Sequence, residues 1–222
     1  MKATRAPRVK ICCISSVEEA ALAVECGASA LGLVSQMPSG PGVISDQRIA
    51  QIAATVPPPI GTFLLTSRQN VSEIVAQHRV CRTNCIQLCD RITSGSYREL
   101  KDTLPGISII QVIHVTGTDS VDEAESIAAQ VDAILLDSGN QKLPVKELGG
   151  TGRTHDWSLS RKIRERIGVP LFLAGGLTSE NVARAIEEVG PYGIDLCSGV
   201  RTNGKLDEGK LKQFFSAVRN AA

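Results

Sequence analysis

Residues 8–34 read RVKICCISSVEEAALAVECGASALGLV, and this stretch decides the fold. An apolar β-type run over residues 8–12 is followed by Ser16 with Glu19 three positions on, the spacing of a helix-capping box. A helix then runs through Glu25, and Gly27 stands where a helix-ending glycine belongs. A second apolar run, 30–34, completes a βαβ unit.

The same unit repeats to the end of the chain. Further strands are expected at 60–65, 85–88, 108–115, 133–136, 169–174 and 193–197. Further helices are expected at 46–55, 71–77, 96–103, 121–130, 157–167, 181–188 and 207–219. The prolines at 57, 58 and 59 stop the second helix. Eight strands alternating strictly with eight helices, with no linker-like stretch, predict a single (β/α)8 barrel domain over residues 1–222. The alternative, an open doubly wound sheet, usually has fewer strands, and the first βα turn lacks a GxGxxG fingerprint.

Composition fits this reading and excludes others. The chain has 222 residues, 42% of them hydrophobic, enough for one full core. Aromatics are only 3%, so Ile, Leu, Val and Ala must build it, as suits a parallel sheet buried on both faces. With 24 basic and 23 acidic residues, no charge excess favours nucleic acid or an acidic membrane surface. The N-terminal Lys2, Arg5, Arg8 and Lys10 are too scattered for a basic arm. No apolar run approaches the roughly 20 residues of a membrane span, and the N-terminus lacks the apolar core of a signal peptide. The seven cysteines, odd in number and without a secretion signal, are read as reduced thiols of a cytoplasmic protein.

A barrel carries its active site at the C-terminal ends of its strands. There the sequence places Cys12, Cys89, His114, Asp137, and two glycine-bearing ends: Gly175-Gly176 after strand seven and Ser198-Gly199 after strand eight. Those two ends are neighbours in a closed barrel, and their backbone N–H groups could cradle a phosphate; the alternative is that the glycines only make tight turns. The loop 137–156 is long and contains Gly149-Gly150-Thr151-Gly152-Arg153. It reads either as a mobile cover or as a solvated insertion. Asp137 is a candidate acid or base; Cys12 is a candidate nucleophile or base, or a buried small hydrophobe. Cys12, Cys89 and Cys197 share one mouth, but strand four lies across the barrel from strands one and eight. Zinc ligands must converge at about 2.3 Å, so no metal is expected. His78 and His155 read as surface or loop residues, while His114 could line the mouth.

Together these positions carry a resemblance to the phosphoribosylanthranilate isomerase family. Val9-Lys10-Ile11-Cys12 is similar to the family's opening, and Leu135-Leu136-Asp137-Ser138 to its acid strand. The run 149–157, GGTGRTHDW, resembles its glycine-rich signature. Residues 173–177 (LAGGL), 191–195 (PYGID) and 198–200 (SGV) resemble its seventh and eighth strand ends. The resemblance spans the chain and is strongest after residue 133.

It implies an Amadori rearrangement in tryptophan biosynthesis, with Asp137 as general acid and Cys12 as general base. Gly175, Gly176, Ser198 and Gly199 would hold phosphate. Lys10, Gly150, Gly152, Arg153, Cys89, His114 and Arg201 would complete the site. It implies no cofactor, a small phosphosugar as partner, and a monomer or homodimer. The sequence departs from the family at Gly42, where an arginine is expected to hold the anthranilate carboxylate. It also departs at Cys13 (for Gly), at Cys89-Asp90 (for His-Gly), over Gln111–His114 and at Arg201 (for Glu). Three readings follow: an isomerase in which Arg153 or Arg201 supplies the cation, a paralogue with a different aglycone, or a non-catalytic phosphosugar-binding barrel.

Overall fold

A computed structural model describes residues 6–221; Lys2 and Arg5 lie outside the described residues. The chain forms β1 (Arg8–Ile11), α1 (Val17–Glu25), β2 (Ala30–Val34), α2 (Asp46–Ala53), β3 (Gly61–Thr66), α3 (Val71–Cys81), β4 (Cys85–Leu88) and α4 (Tyr97–Thr103). It continues with β5 (Ser108–His114), α5 (Asp119–Ala128), β6 (Ala133–Asp137), α6 (Trp157–Arg166), β7 (Leu171–Leu173), α7 (Val182–Val189), β8 (Gly193–Leu196) and α8 (Glu208–Asn220). The eight strands pair in chain order, all parallel, and β8 closes on β1 to make the expected (β/α)8 barrel. Among the described residues no helix is long and apolar enough to cross a membrane.

The two-residue period of the strands sorts their side chains into two cores. One alternating set, including Ile11, Leu33, Leu64, Ile86 and Leu136, faces outward and packs beneath the helices. The other, including Phe63, Leu65, Ile110, Val112, Leu135 and Phe172, fills the barrel interior. Phe63 and Phe172 meet edge to face there, ring centroids 6.0 Å apart. Aliphatic side chains supply the rest, as the low aromatic content requires.

Local capping follows the sequence with one addition. Ser16 Oγ accepts from the Glu19 backbone N–H at 3.1 Å, as a capping box demands. The Glu19 carboxylate reaches the Ser15 N–H at 3.0 Å and also binds Arg201, so it joins the helix to a distant segment. That segment was not expected: Ser198–Val200 form a single 3-10 turn, and Arg201–Thr202 pair with Lys205–Leu206 in a small hairpin. Its turn is Asn203-Gly204, both at positive φ (50° and 78°), the strongest short hairpin signal a sequence carries. Helix α3 runs to Cys81, beyond the expected residue 77, and buries His78 instead of exposing it. The His78 ring donates to the Thr83 carbonyl at 2.7 Å. Strand β7 is shorter than expected because Pro170 has no N–H to give the ladder.

Candidate active site

The site begins at the seam where the barrel closes. Lys10 on β1 lies directly opposite Asp195 on β8, so both side chains enter the interior at one level. Lys10 Nζ is 2.8 Å from Asp195 Oδ2, is 0% exposed, and lies 5.2 Å from the centre of the Phe63 ring. Burial alone would lower the Lys10 pKa, but the Asp195 carboxylate together with the Cys12 and Cys89 thiols outweighs it and holds the ammonium above its usual range. The second carboxylate oxygen of Asp195 is buried without a partner among the described residues, and Asp195 forms part of the floor of the mouth cavity.

Cys12 stands two residues above Lys10, just past the end of β1, its N–H donating to the Leu196 carbonyl at 2.8 Å. Its sulfur lies against Gly32: a Cβ at that position would sit 2.8 Å from Cys12 Sγ and 3.1 Å from Lys10 Nζ. Asp137 is the last residue of β6. Both residues open onto one cavity at the C-terminal mouth. Asp137 Oδ1 accepts from the Ser138 backbone N–H at 2.7 Å. Burial pushes the Asp137 carboxyl pKa up, and His114 and the Ser138 N–H only partly oppose it. A proton is therefore held there more firmly than on an ordinary carboxylate.

The other end of the cavity is built from backbone. Gly175 and Gly176 have φ of 87° and 60°, conformations that side chains disfavour. They pack against the loop: a Cβ on Gly176 would lie 2.7 Å from the Arg153 carbonyl carbon. Gly175, Gly176 and Ser198 line the cavity, whereas Gly199 lies behind it, packed on the Leu177 carbonyl. Gly149, Gly150 and Gly152 of the long loop also line it. A Cβ on Gly149 would come 2.7 Å from Asp137 Oδ2, so the loop lies directly over the acid.

Cys89 lines the cavity as well, its thiol pushed well up by burial. His114 stands beside Asp137 in register but behind the cavity wall, donating to the Cys89 carbonyl at 3.1 Å. Lys10 lies beneath the floor. The two arginines point elsewhere. Arg153 pairs with Glu147 on the outer side of the loop, more than half exposed. Arg201 is 9% exposed, pairs with Glu19 at 2.9 Å, and donates to the Cys13 carbonyl at 2.6 Å. Asp90 is neutralised by Lys146 at 2.5 Å and lies outside the cavity. Among the described residues no Lys or Arg lines the cavity, and no group of three His, Cys, Asp or Glu could hold a metal ion.

Gly42 and Cys13 are interlocked. Gly42 has φ 81°, and a Cβ there would meet the Cys13 Cβ at 2.5 Å. Cys13 itself has φ 62°, unusual for a residue with a side chain, and its thiol donates to the Pro41 carbonyl at 3.7 Å. The neighbouring Cys12 and Cys197 thiols, with burial, push the Cys13 thiol pKa up; the Cys13 thiol and the Arg201 charge lower that of Cys197. Gln87, whose Oε1 is buried without a partner, and Asp195 line the cavity and were not among the expected site residues. The signal was present in both cases, a polar residue within a strand that is otherwise apolar.

A carboxyl and a thiol at the mouth of a (β/α)8 barrel, beside the glycines of two adjacent strand ends, are the arrangement of a barrel enzyme class that moves protons on a small substrate. A profile of N-(5'-phosphoribosyl)anthranilate (PRA) isomerases matches residues 9–217. N-(5'-phosphoribosyl)anthranilate isomerase 2 of Methanosarcina mazei is 38% identical over 96% of this chain and 94% of its own. The N-(5'-phosphoribosyl)anthranilate isomerase of Methanocella arvoryzae is 32% identical over 96% and 98%. The crystal structure of the Thermotoga maritima phosphoribosyl anthranilate isomerase superposes with a TM-score of 0.79 at 30% identity, covering 96% of this chain and 99% of that one. Another, a phosphoribosyl anthranilate isomerase in complex with reduced 1-(o-carboxyphenylamino)-1-deoxyribulose 5-phosphate, gives 0.76 at 29% identity, with the same coverage. The chain belongs to the phosphoribosylanthranilate isomerase family.

Proposed function

We propose that this chain catalyses the Amadori rearrangement of N-(5'-phosphoribosyl)anthranilate in tryptophan biosynthesis, with Asp137 as general acid and Cys12 as general base. Asp137 protonates the furanose ring oxygen; the C1'–O bond breaks as the nitrogen lone pair forms a protonated Schiff base. Cys12 removes the C2' proton, and the electron pair moves to give an enolamine, which tautomerises to the 1-amino-1-deoxyketose. The substrate phosphate is held by backbone N–H groups at Gly175, Gly176 and Ser198, while Gly199, behind the cavity, shapes the turn that presents Ser198. The aglycone lies towards Met37 and Leu148, which line the cavity nearer β2 and the long loop. The buried Lys10 ammonium and the Cys12 sulfur both lie against Gly32, so the base sits next to a fixed positive charge. The reaction is a proton shuffle that needs no cofactor; we place it in the cytoplasm, carried out by a monomer or homodimer.

The observation that carries this reading is one cavity lined at once by Cys12, Asp137, Gly175, Gly176 and Ser198. Complementation of a strain lacking the isomerase tests it: the wild-type chain restores growth without tryptophan, and Cys12→Ala and Asp137→Asn do not. In purified enzyme each substitution lowers kcat by about 10²- to 10⁴-fold, the range for loss of a general acid or base. The lack of Lys or Arg on the cavity wall favours a second reading, a phosphoribosylamine with an uncharged aglycone. Turnover of such a substrate but not of the anthranilate compound would select it.

A further inference from the structure

The anthranilate carboxylate needs a cation, and the catalytic cavity provides none. Most cations around the mouth are committed. Lys10 is held by buried Asp195 at 2.8 Å, Arg201 by Glu19 and two backbone carbonyls, Arg153 by Glu147, and Lys146 by buried Asp90 at 2.5 Å. Arg68 differs. Among the described residues its one ion pair, to Glu73, is 3.5 Å long and joins side chains that are 41% and 57% exposed. A contact of that length between solvated groups is easily exchanged for a better partner.

Arg68 also stands in the right place. It lines a second cavity that shares Met37 and Leu148 as a common wall with the catalytic one. It lies two residues past the end of β3, next to β2, whose following loop carries Gly42. Its backbone is anchored while its side chain is not. The Arg68 N–H donates to Thr66 Oγ1 at 3.2 Å, Thr66 Oγ1 donates to buried Gln77 at 2.7 Å, and Ser67 Oγ donates to the Gln36 carbonyl at 2.8 Å. A guanidinium offers the two parallel N–H groups that match a carboxylate. We propose that Arg68 binds the aglycone carboxylate, swinging from Glu73 over the Met37–Leu148 wall, and so determines specificity for an acidic aglycone. This rests on the isomerase reading above.

The test compares two substrates, N-(5'-phosphoribosyl)anthranilate and N-(5'-phosphoribosyl)aniline, which lacks the carboxylate. Arg68→Met should raise KM for the first by about 10- to 100-fold, the loss of a charge-assisted pair, with kcat little changed. KM for the second should stay within about twofold of wild type. Arg68→Lys should recover part of the loss, and Glu73→Gln, which removes the competing carboxylate, should lower KM for the first substrate. An equal effect on both substrates, or no effect on either, overturns the proposal, as does a selective KM increase in Lys146→Met with none in Arg68→Met. If the wild-type enzyme turns over neither substrate, the isomerase reading fails, and this assignment with it.

Discussion

At the scale of the residue, the site trades stability for chemistry. Asp137 holds its proton more firmly folded than unfolded because burial disfavours its charge. Its contribution is therefore most favourable in acid and declines as pH rises from about 3.9, the unfolded value, through the raised folded pKa. Asp137→Asn removes that loss, so this variant should be more stable than wild type at pH 7 in urea unfolding. A variant no more stable than wild type would mean that Asp137 is not held protonated. Gly42 shows a second constraint. Restoring the family's arginine there with Gly42→Arg alone drives a Cβ into Cys13 at a strained φ. The single variant should lose about 2–4 kcal/mol, and Cys13→Gly should return part of it, a coupling that a double-mutant cycle measures directly. Gly42 was legible as a departure in the sequence; its lock with Cys13, 29 positions away, was not.

At the scale of the element, Glu19 ties the first helix to the end of the barrel. Its position was legible as a helix cap, since capping is local and depends on residues three apart. Its partner Arg201 lies 182 positions away. One Glu19 oxygen also accepts from the Leu206 N–H at 3.0 Å, so α1 holds the hairpin that follows β8. Removing one member of a largely buried pair strands the other. Glu19→Ala should cost about 3 kcal/mol by denaturant unfolding, with the KM for substrate changed less than tenfold, because Arg201 faces Glu19 and not the cavity. Within the strands, side-chain alternation was readable from the sequence. The placement of Lys10 against Asp195 was not, because it depends on the register at which β8 meets β1.

At the scale of the whole molecule, the acid limb of stability is set partly by a loop histidine. His155 is lowered to about 4, mainly by burial, and its ring is hydrogen bonded to Ser160 Oγ at 2.7 Å. The unfolded chain binds a proton near pH 6.5 that the folded chain refuses, so stability is full above that value and falls as pH drops towards 4. The loss approaches about 3 kcal/mol, and His155→Gln should flatten the Tm profile between pH 4 and 6.5. A profile as steep as wild type would place the acid sensitivity elsewhere. What the sequence by itself determined is the barrel, the strand ends that bear Cys12, Asp137 and the paired glycines, and the family. These follow from periodicity and from motifs contained in single βα units. Only the tertiary structure decided which cations are free. Charge pairing joins residues such as Glu19 and Arg201 through space, and no local pattern records that Arg153 and Arg201 are engaged while Arg68 is loosely held.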